Sequence, residues 1–349
     1  MNFDLDENQS LFKATVERFA ASADVPTRHK TRKQPGGFNS ERWREMAELG
    51  LIAIAGSEAD GGLGGSLIDC AIVAQALGKA QAVEPWLECG FLGVRLLAGT
   101  AYVADVISGE AVAAFAFAEP NRRFALDAVS MQARGAGDGF VLSGEKHFVL
   151  SGAVADLFIV TARLGDETML FVVPQDAKGV DAKPYPVADG SFATVLTLRD
   201  VHVGAPLPGT PTRLAQAVAD GRVMASADMV GIAQRLFDDT LDYVKTREQF
   251  GQPIGRFQVI QHRMVDGYAK VEQMQSALYR HLLKNGDAQG LKAYIGESAL
   301  WVAHQAVQLH GGMGMSDELG IGHGLKRIML LSKLFGDPAS DLAAFAKAA

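Results

Sequence analysis

The chain has 349 residues, 48% of them hydrophobic, enough to bury a substantial core and to form two or three domains. With 33 Lys and Arg against 40 Asp and Glu, the net charge is -7, so no basic surplus exists to neutralise a phosphate backbone and nucleic acid is excluded as the expected partner. The opening Met-Asn-Phe-Asp-Leu-Asp-Glu lacks a signal peptide's basic start, no stretch approaches the roughly 20 apolar residues of a membrane span, and Cys70 and Cys89 have no CxxC spacing; the expectation is a cytoplasmic protein without membrane span, disulfide framework or zinc site.

Residues from 5 to 110 read as helix. Leu5, Phe12, Val16 and Phe19 recur at helical spacing, followed by Trp43, Met46, Ala47, Leu49 and Leu51, with Asn39 or Ser40 as the cap and Glu41 in the first turn. The piece Asp60-Gly-Gly-Leu-Gly-Gly65 breaks the pattern but is no dinucleotide fingerprint, since no strand precedes it. Helix resumes over Ser66 to Leu77 and again from Pro85 to Leu97. Near residue 111 the texture changes to short branched or aromatic runs: 113–117, 139–142, 157–160, 169–173 and 194–198, punctuated by Gly, Asp and Pro. Their close spacing predicts antiparallel strands in a small sandwich or barrel. From Pro211 helical periodicity returns in four segments, one from Leu214 to Val244, one from Ile260 to Leu282, one from Leu291 to Leu309 and one from Leu325 to Leu334. The expected fold is therefore α+β: an N-terminal α-helical domain over 1–110, a middle antiparallel β domain over 111–208 and a C-terminal four-helix bundle over 209–349. Met224, Met229, Met264 and Met274 are read as bundle core.

The stretch Lys245-Thr-Arg247-Glu-Gln-Phe250-Gly251-Gln-Pro-Ile-Gly-Arg-Phe-Gln258 lies between two long helices and places a cation, a ring and an amide at one turn. That set suits a dinucleotide: arginine for a phosphate oxygen, phenylalanine against an apolar surface, glutamine for a polar edge. A second glycine-bearing turn, Gln308-Leu-His310-Gly311-Gly312-Met-Gly314, follows another apolar helix. Two backbone-exposing turns in one helical region point to a shared anionic ligand. His310 and His323 have no third ligand partner and are read as turn or surface histidines.

With these turns in place the chain resembles the acyl-CoA dehydrogenase family over nearly its full length. The likeness includes Trp43-x-x-Met-Ala-Glu48-x-Gly50, Gly61-Gly62-x-Gly64-Gly65, Glu119-Pro120, Gly144-x-Lys146, Ala155-Asp156 and Ala162-Arg163. The section from Gly311 to Leu319 is most similar to the smaller subunits of bacterial heteromeric members, of the pimeloyl-CoA or steroid-degradation type. The resemblance implies an acyl-CoA substrate, α,β-desaturation, electron-transferring flavoprotein as acceptor, and FAD held across a subunit interface. Carried onto this chain, the set that reaches a partner's FAD is Arg247, Phe250, Gln258, Gln308, Gly311 and Gly312. The in-subunit set is altered: Ala118-Glu-Pro-Asn-Arg-Arg123 replaces the family's Thr-Glu-Pro segment, and Phe148-Val-Leu150 replaces a threonine-bearing segment whose hydroxyl bonds the flavin. Arg122 and Arg123 are candidates for CoA phosphates or for a solvated loop. The family's glutamate base falls at Gly336, or in some members at Gly221; the neighbouring Asp337 and Asp220 are the alternatives left, each one methylene shorter than glutamate. Three readings follow from this pattern: a subunit completing a related chain's FAD site, an autonomous enzyme with a displaced aspartate base, and a non-catalytic assembly protein.

Overall fold

The computed structural model describes residues 5–120, 129–284 and 286–348. Helices lead the chain: α1 (Glu7–Ala20), α2 (Val25–Arg32), α3 (Ser40–Glu48), α4 (Leu67–Ala80), α5 (Leu92–Leu97) and α6 (Val103–Ile107). Strands follow: β1 (Ala113–Ala116), β2 (Gln132–Ala136), β3 (Gly139–Leu150), β4 (Leu157–Leu164), β5 (Glu167–Pro174), β6 (Val180–Pro186) and β7 (Phe192–Val203). The 37-residue helix α7 (Thr210–Thr246) comes next, then the short strands β8 (Glu248–Gln249) and β9 (Gln252–Pro253). The remainder is α8 (Gln258–Lys284), α9 (Ala288–His310), α10 (Gly320–Leu331) and α11 (Pro338–Ala348). No helix among the described residues is long and apolar enough to cross a membrane.

Local chemistry decides where these helices begin. Asp6 and Gln9 form a reciprocal capping box at α1, and Asn39 caps α3 by accepting from the backbone N–H groups of Glu41 and Arg42, which settles the choice between Asn39 and Ser40. The helix expected from Pro85 opens as a widened π turn over Trp86–Phe91, in which the buried Trp86 donates from Nε1 to Leu51 O at 2.5 Å.

Contacts divide the chain into two compact units. One comprises His29–Cys70 and Val83–Gly221 and carries the sheet, ordered β1-β4-β2-β3-β7-β6, with β5 also pairing β4. Pairings β2/β3, β3/β7, β4/β5 and β6/β7 are antiparallel, as the run spacing predicts; β1 and β2 lie parallel to β4. Spacing between successive runs reports hairpins, whereas a parallel neighbour needs a long crossover that local pattern does not carry. Strands β2 and β6 were not marked by apolar runs. β2 contains Gln132, Arg134 and Gly135, and β6 is an edge strand bearing Pro184 and Pro186, tolerated because its outer side donates to no ladder. Leu142, Val149, Phe158, Val160, Phe171 and Leu196 are fully buried at the heart of this unit, each contributing about 1.5–3 kcal/mol on transfer from water.

The other unit comprises Met1–Arg28, Ala71–Ala82 and Arg222–Ala349. Its core is Met229, Leu236, Met274, Leu278, Ile295, Ala299, Ile328 and Leu331, all fully buried; Met224, Met229 and Met274 are buried as expected, whereas Met264 is only half-buried. A Cβ on Gly231 would stand 2.1 Å from Gln75 O, and one on Gly78 would stand 2.3 Å from Asp228 O, so glycine lets two helices touch at backbone distance here. Helix α11 is an addition to the four expected C-terminal helices.

Candidate functional site

The first of the two predicted turns is a two-residue β-hairpin. Helix α7 ends at Thr246; Gln249 pairs with Gln252, and Phe250 and Gly251 form the tip with φ of 54° and 79°. Two successive left-handed residues are what a tight hairpin with right-handed strand twist requires. Glycine adopts that geometry freely, but a bulky phenylalanine is an outlier there, and such strain persists where the surroundings enforce it. The ring of Phe250 is 91% exposed, meeting Phe257 edge-on at 6.1 Å. Arg247 is exposed beside it; its N–H donates to Tyr243 O at 2.8 Å, and Ile254 N–H donates to Arg247 O at 2.8 Å. Gln258 is the exposed first residue of α8.

The second turn ends α9. Gly311 has φ 62° and ψ -140°, backbone open to little but glycine, and a short 3-10 turn over Gly311–Met315 follows. Gln308, Gly311 and Gly312 are all exposed, and nothing lies within 4 Å of a Cβ built on Gly251, Gly311 or Gly312. The two turns are joined from below: Tyr243, in the last turn of α7, stacks on His310 with ring centroids 4.2 Å apart and planes 22° apart. Arg247, Phe250, Gln258, Gln308, Gly311 and Gly312 thus belong to one helical unit, with the two turns linked through this stack. His310 is 6% exposed and His323 is buried, donating from Nε2 to Asp317 O at 3.1 Å, so neither is a surface histidine. Burial pushes the His323 imidazole below its ordinary value.

In the sheet unit, the family motif residues Glu119 and Lys146 form a buried ion pair. Lys146 Nζ donates to Glu119 Oε1 at 2.7 Å and to Thr161 Oγ1 at 2.9 Å. Glu119 also accepts from the N–H groups of Ser130 (2.8 Å) and Met131 (3.1 Å) and from the Ser130 hydroxyl, so one carboxylate ties Glu119 to Ser130 and Met131. Burial lowers the Lys146 ammonium to about 8 in spite of the glutamate beside it; burial pushes the Glu119 carboxyl up, but Lys146 and Ser130 outweigh it and hold it below its usual value. Arg122 and Arg123 lie outside the described residues. Leu150, at the expected threonine position, is buried and its side chain has no hydrogen to donate.

At the base positions, Asp337 accepts at Oδ1 from Ala339 N–H (3.1 Å) and Ser340 N–H (3.0 Å), the geometry of a cap on α11, with Pro338 as the first helical residue. Asp220 stands well inside α7 rather than at a helix start, buried and accepting from Gln216 Nε2 at 2.8 Å. Gly336 has φ 135°, and a Cβ there would lie 2.4 Å from Asp341 Oδ1. Asp341 is the residue that sequence reasoning missed. It is 2% exposed and accepts from Lys292 Nζ at 2.9 Å; Lys292 also donates to Ser332 O at 2.9 Å and Gly336 O at 2.5 Å. Arg222 donates to Phe335 O at 2.8 Å, with Nε 3.9 Å from Asp341 Oδ1. Burial lowers both Lys292 and Arg222 against the opposing pull of Asp341. A lysine inside an apolar helix was the available signal, because such a residue is seldom fully buried without a partner.

Family models match the chain in three consecutive pieces: the acyl-CoA dehydrogenase N-terminal domain over residues 6–100, the middle domain over 114–200 and the C-terminal domain over 212–348. An N-terminal helical domain, a middle β domain and a C-terminal helical domain are the layout of a flavin-dependent oxidoreductase of acyl thioesters. This chain belongs to the acyl-CoA dehydrogenase family, and FAD is its cofactor. It is 30% identical to the probable acyl-CoA dehydrogenase YngJ of Bacillus subtilis (strain 168), over 98% of this chain and 97% of that protein. It is 29% identical to the acyl-CoA dehydrogenase IpdE2 of Mycolicibacterium smegmatis, over 97% of each. Among solved structures, the Tcur3481-Tcur3483 steroid ACAD G363A variant superposes with a TM-score of 0.90 at 27% identity, covering 98% of this chain and 97% of that one.

Proposed function

We propose that this chain is one subunit of a heteromeric FAD-dependent acyl-CoA dehydrogenase, and that it lends the adenosine-pyrophosphate half of an FAD site to a related partner subunit. The observation that carries this reading is an asymmetry. The residues of the partner-reaching set are present and exposed on two linked turns, while glycine stands at both family base positions and leucine at the flavin-bonding position. The exposed residues fit the group: Arg247 offers a cation for a phosphate oxygen, Phe250 a ring, Gln258 and Gln308 amides, and Gly251, Gly311 and Gly312 leave open space where a Cβ would block approach. When bound, FAD supplies the hydride acceptor for α,β-desaturation of the acyl thioester. The arginine and the open glycine backbone orient and neutralise the pyrophosphate, and the exposed ring covers an apolar surface.

A solved relative named as a two-part steroid enzyme supports both the heteromeric reading and a bulky acyl group of the steroid class. Electron-transferring flavoprotein is the acceptor in this reading. The test is expression of the chain alone and together with a related subunit. The lone chain is expected to retain little FAD, and the pair to purify yellow and active; a stoichiometric, yellow, active homomer overturns the proposal. Replacing Asp337 by Asn is expected to leave turnover of the pair intact, because its carboxylate is engaged as a helix cap. Loss of turnover with FAD retained would instead make Asp337 the base, and an autonomous enzyme would then show the same loss in the lone chain.

A further inference from the structure

We propose that Tyr243 and His310 are positioning residues that hold the two cofactor-facing turns in register, although neither belongs to the set that reaches the cofactor. The inference rests on the reading of those turns given above. Tyr243 precedes Arg247 by one helical turn, and its carbonyl accepts the Arg247 N–H at 2.8 Å, so a shift of Tyr243 moves the start of the hairpin. The hairpin is then seated on the same helix end: Ile254 N–H returns to Arg247 O, and Gly255 approaches so closely that a Cβ would stand 2.8 Å from Val244 O.

His310 anchors the other turn in the same way. It directly precedes Gly311, and its Nδ1–H donates to Ala306 O at 2.8 Å, which fixes the ring plane and the tautomer. The 3-10 turn folds back over it, since a Cβ on Gly314 would lie 3.1 Å from His310 Cβ. The stack at 4.2 Å and 22° is therefore a direct side-chain link between two elements that sequence separates by more than sixty residues. Tyr243, Thr246, His310 and Met313 also share the wall of one cavity of about 840 Å³. The contact between the two rings couples the spacing of the Arg247 backbone to that of the Gly311-Gly312 backbone. A ligand that spans both turns needs that spacing fixed beforehand, because ordering it at the moment of binding weakens affinity.

The test reads each turn separately from the residue changed. In the full-length chain, backbone amide exchange is followed in 248–253 and in 311–315 for Tyr243→Ala, His310→Ala and Tyr243→Phe. The expected result is crosswise: Tyr243→Ala speeds exchange in 311–315, and His310→Ala speeds it in 248–253, each by about threefold to tenfold, the range set by an aromatic pair. Tyr243→Phe, which keeps the ring, behaves as the parent. Should either alanine variant fail to fold, Tyr243→Leu and His310→Leu keep apolar volume without the stack and give the same crosswise readout. Loosening confined to the turn that carries the substitution, or a Phe variant as loose as the Ala variant, overturns the joint. Titration with ADP, which carries the adenosine pyrophosphate, separates the joint from the reading beneath it. Arg247→Ala and the two joint variants are each expected to weaken ADP binding, the joint variants by about the same threefold to tenfold. Weaker binding with Arg247→Ala but not with the joint variants removes only the joint's role. Unchanged binding with Arg247→Ala removes the cofactor reading and the joint's purpose together.

Discussion

Lys146 and Glu119 meet inside the sheet unit with almost no access to water, and the pair holds because each supplies what the other's burial would otherwise lack. Removing one member leaves an uncompensated buried charge. Lys146→Met is expected to destabilise the protein by about 3–5 kcal/mol in urea unfolding, and adding Glu119→Gln should recover part of that loss because the orphaned carboxylate is gone. The pH dependence has a definite sign. Lys146 titrates near 8 when folded and at its ordinary 10.5 when unfolded, so between those values the unfolded chain binds more protons. The lysine's penalty is complete below pH 8 and is relieved as pH rises toward 10.5; the stability of the parent relative to Lys146→Met should therefore climb across that window, and a flat difference would refute it. Gly336 offers a second residue-level check. Gly336→Glu would place a side chain at φ 135° against the Asp341 carboxylate, so it should lower stability by about 1–3 kcal/mol from backbone strain and like-charge contact, without creating a working base. Turnover gained by that variant alone would show that the slot is open.

Helix α11 depends on its first turn, where Asp337 accepts from two backbone N–H groups and Pro338 pre-sets the backbone angle. Asp337→Ala should weaken it by about 1 kcal/mol, measurable by thermal or urea unfolding. That helix also carries Asp341 to Lys292, so fraying at Asp337 is expected to spread into the Lys292 cluster. The Ala-rich run after Pro338 carries little hydrophobic stripe, so spacing alone does not mark α11. The same limit hid β2 and β6, whose backbones are held by neighbours rather than by their own side chains. By contrast the long bundle helices carry periodic apolar stripes over many turns, and their type was plain from spacing alone.

For the whole molecule, the exposed side chains matter most. Phe250 and Met315 are 91% and 71% exposed at the two linked turns, so in the proposed complex both are free to meet the partner or its cofactor. Phe250→Ala should leave the melting temperature of the lone chain within about 2 °C of the parent, since the ring packs on little within it. It should reduce FAD content when the chain is co-purified with a related subunit. A large drop in the melting temperature of the lone chain would show that the ring is needed for folding instead.

Composition, periodicity and the ordered family motifs were enough to establish an α+β architecture, an FAD-dependent chemistry and the residue types at two turns, because each is carried by local spacing or by motif order along the chain. Tertiary structure alone decided that Tyr243 meets His310, that Asp341 and Lys292 lie beside Gly336, and that β1 and β2 run parallel to β4. Those pairings join residues far apart in the chain, and a side chain's identity does not specify its distant partner until packing has excluded the other choices.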